Sequence, residues 1–296
     1  MRATRALTPV ARLLLALQAV LVLTGGAVRV TGSGLGCPTW PECTKDSYTP
    51  VAGQAEGALH AWIEFGNRLL TFLLFFTAVA MVILVIRTAR RDLRLLAFSQ
   101  IAGIFGQAIL GGITVLTKLN PFSVASHFIL SILLIAAAHT LLIRSEGDRV
   151  DNPRISPFIT AHTILTFIVI AAGTLVTGAG PHAGDAETPR LDVAVATVAT
   201  IHGFLVVALI LLTIAGIYKK SKNFAPDTQR YLIIFLAIAL AQGVIGYVQY
   251  LLGVPEGLVA AHLLGSSILW IAAWRVRLTQ FYSFSDASSF EHNKKR

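Results

Sequence analysis

Charged side chains are scarce in this sequence, and their scarcity limits what the protein can be. Only 13% of its 296 residues are Asp, Glu, Lys or Arg, whereas 55% are hydrophobic. Soluble domains carry about 25% charged residues, so the composition excludes an ordinary soluble fold. The alternation of apolar and polar residues that is typical of a membrane β-barrel is also missing. A helical membrane protein remains.

Apolar runs of about 20 residues, enough to cross a hydrocarbon core of about 30 Å as a helix, recur along the chain. Lipid offers the backbone no hydrogen-bond partners, and a helix satisfies its backbone groups internally. The sequence therefore predicts an all-α integral membrane protein with eight transmembrane helices, at roughly 9–30, 61–86, 94–117, 122–143, 157–177, 193–217, 230–252 and 257–276.

Most basic residues lie before the first span and after each even-numbered span. The positive-inside rule then predicts a multi-pass protein of the cell membrane with both termini in the cytoplasm. This topology accounts for the net charge of +9, so we expect contact with membrane lipid and no binding to nucleic acid. The basic residues that decide it include Arg2, Arg5, Arg87, Arg90, Arg91, Arg94, Arg144, Arg149, Arg154, Lys219, Lys220, Lys222, Arg230, Arg275 and Arg277.

One stretch of the chain occurs twice. QAILGGITVLTKLNPFSVASH at 107–127 matches QGVIGYVQYLLGVPEGLVAAH at 242–262 without a gap, at an offset of 242 − 107 = 135. Each copy contains four spans, an even number, so the copies share one orientation in the membrane. We predict two parallel-repeat four-helix bundles, formed by residues 1–150 and 151–282, followed by a disordered basic tail at 283–296.

The repeat aligns four candidate ligand positions near the outer leaflet. The offset pairs His127 with His262 and Asn67 with His202. Zinc would need further Cys, His or carboxylate ligands, and the second half offers none nearby. Two imidazoles on facing helices suit a flat macrocycle with one axial ligand on each side. The residues alone therefore predict a bis-histidine heme in the second half, held by His202 and His262.

The loop after the first span, at 31–60, contains both cysteines within GCPTWPEC. It lies on the predicted non-cytoplasmic side, where disulfides persist. We therefore expect a Cys37–Cys43 disulfide, of either structural or redox role. The corresponding segment of the second half is shorter, so the first half has extra structure of about a dozen residues over its site.

Two ionisable residues near the outer surface are candidates for function. Glu64 lies about one turn inside the second span, and a carboxylate within a membrane is usually functional. The alternative is a structural pair with Arg68. Arg29, at the end of the first span, either extends its side chain to the interface or binds a heme propionate.

The sequence resembles the heme A synthase family in TGGAVRVTGSGLGCPTWPEC, in WIEFGNR and in the repeated late histidines. The resemblance covers residues 8–280. It implies two pseudo-symmetric four-helix halves, heme b as cofactor and heme O as substrate. The implied reaction oxidises the C8 methyl group of heme O to the formyl group of heme A. It also implies a place beside heme O synthase in a terminal oxidase pathway, and homo-oligomer formation is left open.

The same resemblance assigns roles to individual residues. His202 and His262 correspond to the axial ligands of heme b, and His127 to one histidine of the heme O site. Glu64 corresponds to a glutamate implicated in catalysis. Cys37 and Cys43 are similar to the paired cysteines of bacterial members, whereas His60, Asn67 and Arg29 complete the candidate substrate-binding set.

One position departs from the family pattern Glu-x-x-His-Arg, because this chain has Glu64-Phe65-Gly66-Asn67-Arg68. Asparagine is a poor iron ligand beside imidazole. Either His127 holds the substrate alone and leaves the other axial face open, or His60, about 10 Å nearer the outer surface, replaces the missing ligand.

Two other functions compete with an oxidase. A non-catalytic di-heme electron carrier would be expected to have four histidines in pairs, and the first half has Asn67 in place of one of them. A transporter with parallel repeats would leave the register of the histidines unexplained.

Overall fold

Eight long helices make up most of the part of the chain that the computed structural model describes, which is residues 2–146, 148–149, 153, 155–185, 188–219, 224–225 and 227–283. Each is long and apolar enough to cross a membrane. The prediction of an all-helical, eight-span membrane protein is confirmed. The helices are α1 Arg2–Val30, α2 Ala58–Arg87, α3 Arg94–Leu116, α4 Pro121–Glu146, α5 Pro157–Ala179, α6 Val195–Tyr218, α7 Thr228–Leu251 and α8 Glu256–Leu278.

The helices begin and end where the local chemistry allows. Pro157 opens α5, at a position where the backbone N–H that proline lacks would have no helical partner. Gly32 follows α1 with a φ of 67°, a left-handed conformation that favours glycine and stops the helix. The largest difference from the predicted bounds is at α1, which begins at Arg2 rather than near residue 9. Apolar runs mark membrane spans, and a helix can extend past its span into water.

The turn between α3 and α4 repeats between α7 and α8. Lys118 and Leu119 have φ values of 53° and 58°, and Gly253 and Val254 have values of 73° and 65°. These pairs are separated by 253 − 118 = 135 residues, the offset of the sequence repeat. The repeat therefore extends to the backbone conformation of this turn, including three left-handed residues that are not glycine.

Below, the first half means α1–α4 and the second half means α5–α8. Successive helices pack against each other within each half, and α1 and α4 also contact α8 of the other half. Two tryptophans of α8 strengthen this contact: Trp270 donates to the Ile132 carbonyl (2.8 Å) and Trp274 to the Thr140 hydroxyl (2.7 Å). The arrangement as two parallel four-helix bundles stays a prediction.

A short antiparallel pair of strands, β1 Asp148–Arg149 and β2 Tyr282–Ser283, joins the segment after α4 to the segment after α8. This pair was not predicted, because two residues carry no strand pattern. Of the predicted tail at 283–296, all but Ser283 lies outside the described residues.

Buried amides tie the first half together. Gln100 on α3 donates from Nε2 to the Leu134 carbonyl of α4 and accepts from Nε2 of Gln18 on α1, at 2.9 Å. Gln100 is fully buried and Gln18 is 3% exposed. Because a bilayer core offers polar groups no water, the Gln18 amide depends on Gln100 for its hydrogen bond.

Gln100→Leu should lower the free energy of unfolding by about 1 kcal/mol, because it leaves the Gln18 amide buried without its partner. Unfolding in detergent micelles measures this. The double change Gln18→Leu and Gln100→Leu should cost less than the sum of the single changes. Additive losses would contradict a coupled pair.

Candidate functional site

The histidines at equivalent positions of the two halves each pack on a glycine of the neighbouring helix. A Cβ atom added to Gly111 of α3 would lie 3.4 Å from Cε1 of His127 on α4. The same atom on Gly246 of α7 would lie 2.9 Å from Cε1 of His262 on α8. A Cβ atom at Gly246 would displace the His262 ring, whereas one at Gly111 would only touch the His127 ring, so Gly246 restricts its imidazole more tightly.

His202 on α6 has the same environment, since a Cβ atom on Gly173 of α5 would lie 3.4 Å from its Cε1. Gly173 was not predicted from the sequence, because its helix lies outside the matched stretch. His127, His202 and His262 are the seventh or eighth residues of helices that begin at Pro121, Val195 and Glu256. The three rings therefore lie at similar depths, about 10 Å from their helix starts.

Glutamines hold the helical turns that carry two of these histidines. Gln107 donates from Nε2 to the His127 carbonyl (3.1 Å) and to the Ser131 hydroxyl (2.7 Å). Its repeat equivalent, Gln242, donates to the His262 carbonyl at 2.6 Å. These bonds fix the backbone beneath each imidazole and bind α3 to α4 and α7 to α8.

The imidazoles of His127, His202 and His262 remain partly accessible, whereas those of His139 and His162 are buried. Nδ1 of all five is buried without a hydrogen-bond partner among the described residues, so accessibility distinguishes the three candidate ligands from the two core histidines. No group of three or more His, Cys, Asp or Glu that could hold a metal ion occurs in the described ranges, as a zinc site would need.

The side-chain oxygen of Asn67 already has a hydrogen-bond partner. Its Oδ1 accepts a hydrogen bond from the Thr24 hydroxyl of α1, at 2.7 Å. The first half thus has an α1–α2 polar contact at the repeat position where the second half has the His202 imidazole.

His60, the other candidate for the ligand position of Asn67, is the third residue of α2. Its Nδ1 is 3.0 Å from the hydroxyl of Ser33, a fully buried residue at the start of the α1–α2 loop. Its contact therefore ties α2 to that loop.

Glu64 is engaged at both carboxylate oxygens. Oε2 accepts the backbone N–H of Cys37 at 2.7 Å, and Oε1 accepts Nη2 of Arg68 at 2.6 Å. With only 6% of its surface exposed, Glu64 has lost most of its hydration. The structure shows the predicted pair with Arg68, which also holds the loop, and the catalytic role of Glu64 stays a prediction.

Arg68 completes this attachment to residues 37–43, called the cysteine loop here. Its Nη2 donates to the carbonyls of Cys37 (3.0 Å) and Thr39 (3.2 Å), and its Nη1 donates to that of Glu42 (3.2 Å). A disulfide joins Cys37 to Cys43, and both residues are fully buried. One guanidinium thus satisfies carbonyls along the whole loop.

Arg29 joins the two halves instead of reaching for water. It donates to the Thr177 carbonyl (2.9 Å) at the end of α5 and to the His182 carbonyl. Nε2 of His182 is in turn 2.7 Å from the Val254 carbonyl. The sequence predicted an interfacial position for Arg29 but not these partners, since they are distant in sequence.

These features define a class: a multi-pass helical membrane protein with imidazoles at matched depths in its two halves. Residues 10–274 match the COX15-CtaA family of cytochrome oxidase assembly proteins, and the chain belongs to that family.

Individual relatives agree with the family assignment. The chain is 34% identical over 172 residues to the heme A synthase of Lysinibacillus sphaericus, a match that covers 53% of each protein. It is 31% identical over 133 residues to that of Geobacillus kaustophilus, covering 44% of this chain and 40% of the relative. For the heme A synthase of Macrococcus caseolyticus, the identity is 31% over 169 residues, covering 53% and 55%. The chain thus spans about half the length of the curated relatives it matches.

Arg68→Met should lower the free energy of unfolding by about 3 kcal/mol, because it leaves the buried Glu64 carboxylate without its cation. The exposed pair of Arg12 and Glu146, in which the Arg12 side chain is 67% exposed, provides the control. Arg12→Met should change the stability by less than about 0.5 kcal/mol. Equal effects of the two changes in a denaturant titration would contradict a stabilising role of the buried pair.

Proposed function

We propose that this protein is a membrane enzyme that oxidises the C8 methyl group of heme O to a formyl group, giving heme A for terminal oxidases. The observation that carries the proposal is the unequal pair of sites. The second half has two imidazoles, His202 and His262, whereas the first half has His127 and an asparagine bound to Thr24. A cofactor site needs only to hold its heme, but a substrate site gains from an open axial side.

His202 and His262 would hold heme b in the second half. The support is their packing on Gly173 and Gly246, which brings each ring close to the neighbouring helix. Bound there, heme b supplies one-electron redox chemistry. Gln242 holds the His262 backbone and so limits movement of that ligand.

His127 would bind the iron of heme O in the first half. Thr24 engages Oδ1 of Asn67, and Ser33 contacts Nδ1 of His60. Those contacts favour a single protein ligand and an open opposite face over replacement by His60. Arg29 remains a candidate for a propionate only if it exchanges one of its carbonyl partners in the second half.

Glu64 is proposed to support the reaction at the edge of this site. As a proton acceptor, it would have to release Arg68 or the Cys37 amide. While those bonds persist, it keeps the cysteine loop attached to α2.

The proposed location is the cell membrane, with both termini in the cytoplasm and the histidines toward the outer leaflet. The distribution of basic residues supports it. The proposed pathway places a heme O synthase before this enzyme and a terminal oxidase after it. A di-heme electron carrier is the competing function, and the Thr24–Asn67 contact counts against it, because a carrier gains nothing from a lost ligand.

Pigments extracted from membranes with and without this protein, both supplied with heme O, test the function. Mass analysis should show heme A only where the protein is present. His262→Ala should abolish heme A formation and remove the low-spin heme b spectrum, whereas His139→Ala, at a buried position deeper in α4, should retain both. Unconverted heme O beside a protein that carries two low-spin hemes would favour the electron carrier.

Gly246→Ala should disturb the heme b site, because its Cβ atom would lie 2.9 Å from the His262 ring. We expect a shifted or high-spin spectrum and about tenfold weaker heme retention, as for an overpacked contact. Gly243→Ala is the control on the same helix, since nothing lies within 4 Å of the added atom. An unchanged spectrum in Gly246→Ala would contradict His262 as a ligand.

A further inference from the structure

The side chain of Trp40, at the centre of the cysteine loop, rests on α3 where that helix has a glycine. A Cβ atom added to Gly112 would lie 2.7 Å from Cδ2 of the indole and 3.0 Å from both Cε2 and Cε3. Gly112 is buried, whereas Trp40 is 38% exposed. The indole therefore covers the helix with one side and leaves the other open.

This contact is adjacent to the His127 contact. Gly111, the preceding residue of α3, is the one against which His127 packs. Consecutive helical residues point about 100° apart, so α3 presents one glycine to α4 and the next to the cysteine loop. The loop and the candidate iron ligand thus meet α3 at the same level.

The two halves differ at the position of Gly112, and the glycine occurs in the half that has the cysteine loop. At the repeat offset of 135, Gly111 corresponds to Gly246, but Gly112 corresponds to Tyr247. Tyr247 is 66% exposed, so no described segment covers it. The repeat itself therefore requires the first glycine, whereas the second is required only where Trp40 is present.

The cysteine loop is also fixed on its other side. Glu64 and Arg68 bind its backbone to α2. Just before the loop, Gly36 lies so close to the His60 backbone that an added Cβ atom would overlap it. The loop consequently bridges the outer ends of α2 and α3, the neighbouring helices that carry Asn67 and the His127 contact.

We propose that the cysteine loop is a lid on the first-half site and that Trp40 is its positioning residue, seated on Gly112. This inference rests on the proposed function, because the site it closes is that of the substrate heme. The indole closes the α3 side, and the Glu64–Arg68 pair closes the α2 side. Trp40 thereby limits how the porphyrin lies beside His127 and keeps water from that face.

A double-mutant cycle tests the seating of Trp40. Gly112→Ala should raise the KM for heme O about tenfold, as an overpacked contact does, with kcat changed less than about twofold. In a Trp40→Leu background, the same alanine has no indole to displace and should change KM by less than about twofold. Because alanine favours a helix over glycine, a weakened α3 cannot explain a loss. Equal effects in both backgrounds, or no effect in either, would overturn the proposal.

Tyr247→Ala is the matched control at the repeat-equivalent position, and it should leave KM and the heme b spectrum unchanged. A second readout needs no heme. Both cysteines of the disulfide, at the two ends of the loop, are fully buried, so Gly112→Ala, which loosens the loop, should speed its reduction by a water-soluble phosphine about tenfold. Wild-type protein that makes no heme A would refute the proposed function and leave this test intact. An unchanged reduction rate in Gly112→Ala would refute the lid.

Discussion

Close approach of helices at single glycines is the constraint on which the rest of the structure depends. Hydrophobic burial does not drive helices together in lipid, so packing and hydrogen bonds must hold them. Gly111 and Gly246 let an imidazole lie almost against the facing helix, and the glutamines one turn earlier bond to the same histidine residues. The distance between α3 and α4 thus sets the position of His127, and the distance between α7 and α8 sets that of His262.

The Glu64–Arg68 pair obeys a second constraint, that a charge removed from water must be surrounded by partners. In a hydrocarbon setting neither ion would be stable alone. Glu64 accepts a backbone N–H of the cysteine loop, and Arg68 donates to its backbone carbonyls. The pair therefore orders the loop, and the loop in turn shields the pair. This mutual dependence explains how a carboxylate can be both buried in α2 and coupled to structure outside it.

The sequence predicts the parts of this molecule that follow from composition and repetition. Apolar runs give eight spans, and the offset of 135 gives the register of His127 and His262. Other features depend on contacts between segments that share no pattern, such as Arg29 with Thr177. The seat of Trp40 on Gly112 is of this second kind, although the departure of Gly112 from Tyr247 was visible in the repeat and could have signalled it.

Two copies of one unit can acquire different tasks through a few local changes. In the first half, Asn67 stands where the second half has His202, and its Oδ1 accepts a hydrogen bond from Thr24. Adding the cysteine loop covers the same half, and Gly112 makes room for its tryptophan. Each change alters the surroundings of His127 while Gly111 and Gln107 keep its ring where the repeat places it. The shared scaffold thus places one histidine at the same position in each half, and under the proposed function the differences around it separate a cofactor site from a substrate site.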